Sequence, residues 1–423
     1  MANKAIIGLE VHVELTTRTK MFCPCSAAHF SEPANTHTCP VCLGLPGALP
    51  SPNKKAIEDT ILLGLALNCK VNPVSNFDRK QYFYPDLPKG YQISQYEHPF
   101  CINGYLTLDS GKKIRIERVH LEEDTAKLSH QGKESLIDFN RSGVPLVEIV
   151  SYPDMETAEE AKEYLKKIHE IIRSLAVSDA DLDKGQMRLE PTINVQIGDK
   201  FTPLVEVKNI NSFNFVALSI NFEINRLTKE FGKTGVEKSP ANKVTRGFDS
   251  IKKVTFPQRS KEEAKDYRYF PEPDIPPITV DENWFASIKS RLPELPSAKI
   301  ANLVSLGVEE KYAKILYQNS DKLLKLKDQV DLPKLASLIA NKKIDINGDL
   351  LSQYEKLTKV GETDTEKLTS IIQSVIANNP KIVGEYKSGK VAVLGFLICL
   401  AMKESKGSAD PRTLSDLLKK SLL

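Results

Sequence analysis

The beginning of the chain alternates apolar and polar side chains in the pattern of a half-buried β-strand. Within residues 5–15, Ile, Leu or Val occupies every second position from residue 7 onward, so one face is apolar. The opposite face carries two carboxylates and an imidazole, those of Glu10, His12 and Glu14. Shorter alternating runs occur at residues 146–150, 192–197 and 204–208. Because successive strand side chains point to opposite faces, these runs predict a sheet with one buried face.

Apolar residues at helical spacing separate these strands. Residues 161–175 carry apolar side chains three and four positions apart, and so do residues 213–231. Gly232 follows the second run, where glycine commonly ends a helix. Strands and helices mixed without a regular repeat predict an α+β domain with a largely antiparallel sheet, which we place at residues 1–293.

After Pro293 the alternating runs disappear and the pattern becomes helical. We therefore predict an all-α helical connector at residues 294–360 and a small helical tail domain at residues 361–423. Helix-capping signals support the tail as a separate domain. They are a capping box at Thr363 and Glu366, a helix stop at Asn379-Pro380, and a cap at Asp410 followed by Pro411 at the first helical position.

The composition is that of a folded protein. Of the 423 residues, 41% are hydrophobic and 27% are charged, which excludes the disordered and collagen-like classes. The longest apolar run, residues 391–402, is shorter than the ~20 residues of a membrane helix, and the N-terminus shows no secretory signal. These features predict a cytoplasmic protein that makes no use of a membrane.

The overall charge says little about partners. The chain has 58 Lys and Arg residues and 55 Asp and Glu residues, a net charge of +3, which neither requires nor excludes nucleic acid. Residues 381–423 are more basic, with eight positive and four negative side chains. This end of the chain could contact phosphates, although a solvated helix face would have the same composition.

Four cysteines form two close pairs. Cys23 and Cys25 are separated by one residue, and Cys39 and Cys42 by two. The second spacing lets one turn of backbone present two thiolates to a tetrahedral Zn²⁺, and disulfides are rare in the cytoplasm. The first pair is one residue tighter than usual. The spacing favours a structural zinc site over unrelated reduced thiols.

Acidic residues in strands suggest a second metal site. Glu10 and His12 share a strand face, about 7 Å apart along the strand. Glu148 interrupts the apolar run at residues 145–150, and a lone buried carboxylate is costly unless it is paired or bound to a metal. Glu122 and Glu123 offer further ligands for a hard cation such as Mg²⁺. Salt bridges to arginine are the alternative, and the pattern alone does not decide between them.

One segment near the C-terminus is a candidate phosphate site. Residues 384–391 match the spacing of a phosphate-binding P-loop except at Val391, where a hydroxyl should hold Mg²⁺. They also lie between two predicted helices with no preceding strand, so we reject this interpretation. If the protein binds ATP, a metal ion and the side chains of Lys and Arg must contact its phosphates instead.

Three segments combine aromatic, charged and proline residues, a composition typical of loops that line a ligand-binding site. They are residues 77–92, 206–212 and 266–274. Packing at a sheet edge could also explain the tyrosines. In the second segment, Glu206 and Lys208 share a strand face, so an ion pair between them is the alternative.

Several motifs together resemble one family. The sequence IDFNRSGVPLVEI at residues 137–149 is similar to the signature of the B subunit of the aspartyl/glutamyl-tRNA amidotransferase. The other matching segments are residues 8–14, 77–92, 119–124, 206–213, 266–277, 386–390, 395–396, 402–403, 406–407 and 410–411. The chain departs from the family pattern at Pro191 and over residues 295–360, which look compressed.

The resemblance implies a fold, an activity and partners. It implies a cradle domain related to glutamine synthetase, and a heterotrimer in which the A subunit, an amidase, supplies ammonia and the small C subunit wraps the interface. The B subunit would bind misacylated tRNA and perform the ATP-dependent step. The Mg²⁺ ligands would be Glu10, His12, Glu148 and one of Glu122 and Glu123, of which we favour Glu123. The zinc ligands would be Cys23, Cys25, Cys39 and Cys42.

The implied chemistry explains which side chains matter. A carboxylate becomes reactive toward ammonia when ATP phosphorylates it, and that step depends on positioning and charge neutralisation more than on a nucleophilic residue. The candidates for contacts with ATP and the transition state are Arg79, Lys80, Tyr82, Lys89, Arg188, Lys208 and Arg268. Two alternatives stay open: a ligase acting on a free amino acid, and a non-catalytic tRNA-binding zinc module.

Overall fold

The computed structural model describes residues 3–259, 267–359, 365–405, 409 and 411–422. The chain forms two compact units, Met1–Leu295 and Pro296–Leu423. The first is rich in sheet and the second is helical, as the sequence predicts. No helix among the described residues is long and apolar enough to cross a membrane.

Among the described residues, the first unit contains the strands and four of the α-helices. The strands are β1 (Lys4–Glu14), β2 (Lys70–Val71), β3 (Val74–Ser75), β4 (Asp78–Gln81), β5 (Tyr91–Ser94), β6 (Cys101–Thr107), β7 (Lys113–Glu123), β8 (Lys127–Gln131), β9 (Glu134–Asp138), β10 (Pro145–Ser151), β11 (Met187–Ile197), β12 (Lys200–Phe201), β13 (Val205–Lys208), β14 (Val244–Asp249), β15 (Val254–Arg259), β16 (Phe270–Pro271) and β17 (Ile278–Thr279). The helices are α1 (Lys54–Ala66), α2 (Ala158–Leu175), α3 (Phe213–Thr234) and α4 (Glu282–Lys289), with a 3₁₀ turn at Pro240–Asn242.

One large sheet organises the first unit. Within the described residues it has ten strands, in the order β15-β14-β13-β11-β1-β10-β7-β6-β2, with β12 paired to β11. Every pair is antiparallel except β13 with β14. The prediction of a largely antiparallel sheet is therefore confirmed. The first strand of the chain, β1, lies in the middle.

The alternation in β1 separates a core face from a polar face. Ile7, Leu9, Val11 and Val13 are no more than 2% exposed and belong to the main core, which they share with buried residues of α1, α2 and α3. Helices thus cover one face of the sheet. Burying these side chains favours the fold by about 2 kcal/mol each. The other face of the sheet is left to the polar side chains.

The helix over residues 213–231 is longer than its sequence suggests. Gly232 does not end it; α3 continues to Thr234, and Gly235 follows as the cap with a φ of 65°. Glycine adopts this left-handed conformation with little steric strain, because it has no Cβ. Helix α3 therefore ends at Thr234, just before this glycine, and the prediction that it ends at Gly232 was wrong.

The second unit is helical in all its described parts. Its helices are α5 (Pro296–Ser305), α6 (Glu310–Leu316), α7 (Ser320–Leu324), α8 (Leu332–Ala340), α9 (Leu350–Lys359), α10 (Thr365–Asn378), α11 (Pro380–Lys387), α12 (Leu394–Glu404) and α13 (Pro411–Leu422), with 3₁₀ turns at Tyr317–Asn319 and Val391–Val393. Buried residues from Leu303 to Leu350 form one core, and those from Leu368 to Leu422 form another.

The predicted capping signals of the tail are described only in part. Helix α10 ends before Asn379-Pro380, and α13 begins at Pro411, as predicted. Thr363 and Asp410 lie outside the described residues. The P-loop-like segment covers the end of α11 and the turn after it, with no strand before it. Its rejection agrees with this geometry.

Candidate functional site

A row of ionisable side chains crosses the polar face of the sheet. His12 on β1 lies opposite Glu148 on β10 and opposite Arg188 on β11. Glu148 lies in turn opposite His120 on β7. Because side chains of paired residues in neighbouring strands stand side by side, four groups from four distant parts of the sequence meet here.

The first cluster in this face combines one imidazole with two carboxylates. The Nε2 atom of His12 lies 3.6 Å from Glu148 and 3.8 Å from Glu122. One ligand atom from each of the three lies within 4.8 Å of the others. Ser94 donates its hydroxyl to Glu122 at 3.1 Å and fixes that carboxylate. This set offers the nitrogen and oxygen ligands that a small divalent cation needs.

A second cluster of three carboxylates lies beside the first. It consists of Glu10, Glu190 and Glu206, again with ligand atoms within 4.8 Å of one another. The ammonium of Lys208 contacts Glu190 at 2.8 Å and Glu206 at 2.9 Å. Within the part of the chain that the structure describes, Glu10 has no cationic side chain within 4.0 Å. Glu10 therefore carries the uncompensated charge of this cluster.

Electrostatics favours a cation at both clusters. Burial raises the pKa of Glu10 to about 7, and the neighbouring carboxylates of Glu148, Glu206 and Glu190 add to the effect. Burial opposes a proton on His12, but Glu148 and the other nearby carboxylates outweigh it and raise the pKa of His12 to about 9. A proton on His12 thus supplies positive charge that a metal ion would otherwise provide.

Arg188 is held by a buried carboxylate pair. Its guanidinium donates to both oxygens of Asp124 and, at 3.0 Å, to Glu14. Glu14 also lies 3.0 Å from Nε2 of His29, in the loop that contains the cysteines. Burial disfavours the charge on Asp124, but Arg188 and Arg141 hold its pKa well below the usual range. Arg188 is therefore a fixed cation rather than a mobile one.

Both carboxylate clusters and Arg188 line a cavity of about 580 Å³. Its far wall is aromatic, with Tyr82, Tyr267 and Tyr269, and Lys80 lies against the first two rings at 5.9 and 5.1 Å. Lys80 has no ion pair within 4.0 Å among the described residues. Burial lowers and Glu122 raises the pKa of Lys80, with a net rise, so the side chain stays charged. It is a cation that a phosphate could pair with.

The remaining candidates are not brought into this cavity. Glu123 is on the opposite face of β7 from Glu122; it contacts Lys89 at 2.7 Å and accepts the backbone N–H of Ile93 at 3.0 Å. The sequence preference for Glu123 over Glu122 is therefore not supported by the geometry, and Lys89 is already paired. The cause is strand parity, which could not be counted from the sequence.

Two arginines also lie elsewhere. Arg79 donates Nε and Nη2 to the two carboxylate oxygens of Glu272, each at 2.7 Å, and its guanidinium packs 4.3 Å from the Tyr91 ring. It therefore joins β4 to the segment that contains Glu272. Arg268 is exposed, has a φ of 41°, and does not line the cavity. Asp266, the first residue of that predicted segment, lies outside the described residues.

Several residues of the cavity had no assigned role in the sequence interpretation. They are His120, Glu190 and Glu206, together with Glu14, which does not line the cavity but contacts Arg188. Alternation within β1 could have indicated Glu14. The others depend on which strands pair and in which register, which no local pattern specifies.

The four paired cysteines converge on one point. Their sulfur atoms all lie within 4.8 Å of one another, and those of Cys39 and Cys42 are 3.9 Å apart. Sulfur atoms around a tetrahedral Zn²⁺ are about 3.8 Å apart, so the residues fit this ion. A hydrogen bond with Cys23, the Cys39 amide and the Lys20 ammonium outweigh burial and lower the pKa of Cys42 to about 4.

Buried polar side chains fasten the cysteine loop to the turn between β9 and β10. The fully buried Lys20 donates to the carbonyl oxygens of His37 at 2.8 Å and Phe139 at 3.1 Å. Asn140 accepts the backbone N–H of His37 at 2.7 Å and donates to Pro33 at 2.8 Å. The loop thus covers the turn that leads into β10 and its Glu148.

The cavity of this mixed α/β protein thus combines two carboxylate-rich clusters, fixed cations and an aromatic wall, side chains of the types that bind divalent cations and phosphate groups. Comparison with known families makes this specific. The model described as GatB/GatE catalytic domain matches residues 5–286, and the one described as GatB domain matches residues 332–422.

Curated relatives match the chain from end to end. The B subunit of the aspartyl/glutamyl-tRNA(Asn/Gln) amidotransferase of Syntrophotalea carbinolica is 42% identical over 99% of this chain and 98% of its own length. The proteins of the same name from Caldanaerobacter subterraneus subsp. tengcongensis and Persephonella marina are 41% and 40% identical over all of both chains. The chain belongs to this family, the B subunits of tRNA-dependent amidotransferases.

Proposed function

We propose that this protein activates the side-chain carboxylate of misacylated Glu-tRNA(Gln) or Asp-tRNA(Asn) with ATP and directs its amidation by ammonia. The observation that carries the proposal is the pair of clusters around His12 and Glu10, which share one cavity with Lys80, Arg188 and Lys208. The family membership gives the reaction class. The alternative of a ligase for a free amino acid has no support from the relatives.

The two clusters would hold Mg²⁺. His12, Glu122 and Glu148 would bind one ion, and Glu10, Glu190 and Glu206 a second. Bound there, Mg²⁺ would neutralise the charge of the phosphate groups during phosphoryl transfer. Glu122 replaces Glu123 in this assignment, because its side chain faces His12.

The fixed cations of the chain would position the reacting groups. Arg188 and Lys208 each form ion pairs with two carboxylates, so their positively charged groups are already in position before the substrate binds. Transfer of the terminal phosphoryl group of ATP to the substrate carboxylate gives an acyl phosphate and ADP. Ammonia then attacks the acyl carbon and phosphate leaves. The aromatic wall would limit entry of water, which hydrolyses the acyl phosphate.

The cysteine cluster would hold one structural Zn²⁺. Four thiolates fill a tetrahedral shell and leave no open position for chemistry. This ion would hold the cysteine loop in place over the turn that leads into β10.

The family name implies other subunits, and the resemblance supplies their roles as proposals. The A subunit, an amidase, would release ammonia, the small C subunit would join the other two, and a glutamine-synthetase-like cradle would describe the first unit. The tail, residues 361–423, would contact tRNA. The division at residues 293 and 360 also stays a prediction.

One assay tests the proposed function. ATP hydrolysis by the assembled complex is measured with free glutamate, with misacylated Glu-tRNA and with uncharged tRNA. We expect turnover only with the misacylated tRNA. Turnover with free glutamate alone would restore the small-molecule ligase, and binding of tRNA without any turnover would indicate a non-catalytic module.

Replacing Lys80 by methionine is expected to raise the KM for ATP about tenfold or more. A hydrogen bond to a charged group contributes about 1.5–3 kcal/mol. Lys80 has no carboxylate partner within 4.0 Å among the described residues, so its ammonium is available for a phosphate of ATP. The measurement is the rate of amidation against ATP concentration. Lys127→Met, on an exposed hairpin, is the matched control. An unchanged KM would remove Lys80 from the nucleotide site.

Deleting residues 361–423 is expected to weaken tRNA binding and to flatten its salt dependence. The tail has a core of its own, and Lys387, Lys390 and Lys403 lie in or near its helix ends. Each phosphate contact that the deletion removes reduces the slope of log affinity against log salt by about 0.7–0.9. Affinity is measured at several salt concentrations for the full and shortened chains in the complex. Equal slopes and equal affinities would make the tail a packing element only.

A further inference from the structure

One histidine connects the cysteine loop, residues 23–42, to the catalytic cavity. Nε2 of His29 donates to one carboxylate oxygen of Glu14 at 3.0 Å, and the other oxygen of Glu14 accepts from the guanidinium of Arg188, also at 3.0 Å. Arg188 lines the catalytic cavity, whereas Glu14 and His29 do not. These two side chains therefore stand behind Arg188 and can act on a substrate only through it.

Glu14 fixes the direction of the Arg188 guanidinium. Nη1 and Nη2 of Arg188 both donate to Asp124, and Nη2 donates to Glu14 as well. A planar guanidinium bound by a single carboxylate can still tilt about that pair, and an acceptor in a second direction removes this freedom. The orientation of Arg188 in the cavity therefore depends on the position of the Glu14 carboxylate.

His29 in turn fixes that carboxylate. The side chain of His29 is 9% exposed and that of Glu14 is 4% exposed, so water has little access to the hydrogen bond between them. A buried carboxylate oxygen that loses its donor is costly, because no solvent replaces the lost hydrogen bond. Without His29, the carboxylate of Glu14 would rotate to share Arg188 between both of its oxygens, and the guanidinium would shift with it.

The position of His29 depends on the closed cysteine loop. The carbonyl oxygen of Ala28 accepts a hydrogen bond from Nδ1 of His37 at 2.6 Å, which ties the backbone beside His29 to the far end of the loop. His29 follows Cys25 by four residues, and His37 precedes Cys39 by two. The two cysteine pairs thus enclose the segment that carries the His29 ring.

We propose that His29 is a positioning residue for the amidation reaction, which acts through Glu14 to keep the guanidinium of Arg188 directed at the reacting groups. The inference rests on the proposed function, in which Arg188 is one of the fixed cations. It gives the cysteine loop a part in catalysis in addition to its contacts with the turn before β10. A displacement of about 1 Å in a catalytic group can lower a rate about a hundredfold. His29 governs one of the three bonds to Arg188, so its loss is a smaller change.

Two variants of the same residue separate positioning from packing. His29→Leu removes the donor and keeps a side chain of similar size, whereas His29→Gln keeps an N–H donor at a similar reach. Glu32→Gln, at an exposed carboxylate of the same loop that pairs with His37 at 3.9 Å, is the matched control. In the assembled complex, kcat and the KM values for ATP and misacylated tRNA are measured, and zinc content is determined for each chain. Arg188→Lys, with and without His29→Leu, completes a double-mutant cycle.

We expect His29→Leu to lower kcat about tenfold, with both KM values within about twofold of wild type and the zinc content unchanged. His29→Gln should restore most of the rate, and Glu32→Gln should keep all of it. Added to Arg188→Lys, His29→Leu should lower the rate little further, because the guanidinium that it positions is already gone.

Three results would overturn the proposal. They are a normal kcat of His29→Leu, equal losses in His29→Leu and His29→Gln, and losses that multiply in the double variant. The last two would make His29 a packing residue of the loop. A wild-type complex that does not consume ATP with misacylated tRNA would instead refute the proposed function.

Discussion

Replacing His12 by alanine is expected to lower the rate of ATP-dependent amidation about a hundredfold or more. His12 is the one nitrogen ligand of the first cluster, and its loss leaves Glu122 and Glu148 too few partners to hold an ion in place. Removal of a single preorganised group that stabilises transition-state charge has an effect of this size. The side chain lies on the polar face of β1, so the core contacts of the strand are unchanged.

The measurement is the amidation rate of the assembled complex at saturating ATP and a series of Mg²⁺ concentrations. Release of ammonia by the partner amidase should continue, because none of these residues takes part in it. His130→Ala, on the exposed β8–β9 hairpin, is the control for loss of a histidine elsewhere. Near-normal amidation by His12→Ala at high Mg²⁺ would show that the assigned metal site is wrong.

Replacing Cys42 by serine is expected to remove zinc from the protein and to lower the free energy of unfolding of the first unit by about 3 kcal/mol. Three thiolates hold zinc much less tightly than four, and the loop that they close is the one pinned by Lys20 to the turn before β10. Zinc content is measured by elemental analysis after purification under reducing conditions, and stability by chemical denaturation. The wild-type chain should contain about one equivalent.

The comparison variant is Cys399→Ser, which removes an exposed thiol in α12. It should keep both its zinc and its stability. Wild-type protein with less than about a tenth of an equivalent of zinc would contradict the site. Equal stability of Cys42→Ser and Cys399→Ser would mean that the cluster has no structural role.

The sequence allowed part of the site to be predicted because some information is local. Alternation in β1 places Glu10 and His12 on one face, and this needs no knowledge of other strands. Glu148 stands out because all seven residues of β10 are buried, so the strand appears in the sequence as an apolar run with one carboxylate in it. The two cysteine pairs can likewise be recognised from the sequence alone, because the two members of each pair are close together in the chain.

The rest depends on pairing between distant strands. The ladder between β7 and β10 shifts register between Val150 and Ser151, opposite the part of β7 that precedes Glu122. Counting alternate residues through that irregularity fails, so strand parity could not decide between Glu122 and Glu123, and the preference for Glu123 came from the resemblance alone. The pairing of Arg79 and Lys89 with carboxylates removed two cations from the predicted nucleotide site, and only the tertiary structure specifies those partners.

The central position of β1 has a consequence for synthesis of the protein on the ribosome. β1 is translated well before its two neighbours in the sheet, Pro145–Ser151 and Met187–Ile197. At about 5–20 residues per second, roughly 7–26 seconds pass before β10 is made, and until then both edges of β1 lack their partner strands. An apolar-faced strand with free edges associates readily with other chains, so nascent chains that end before β11 should depend on chaperones and aggregate without them.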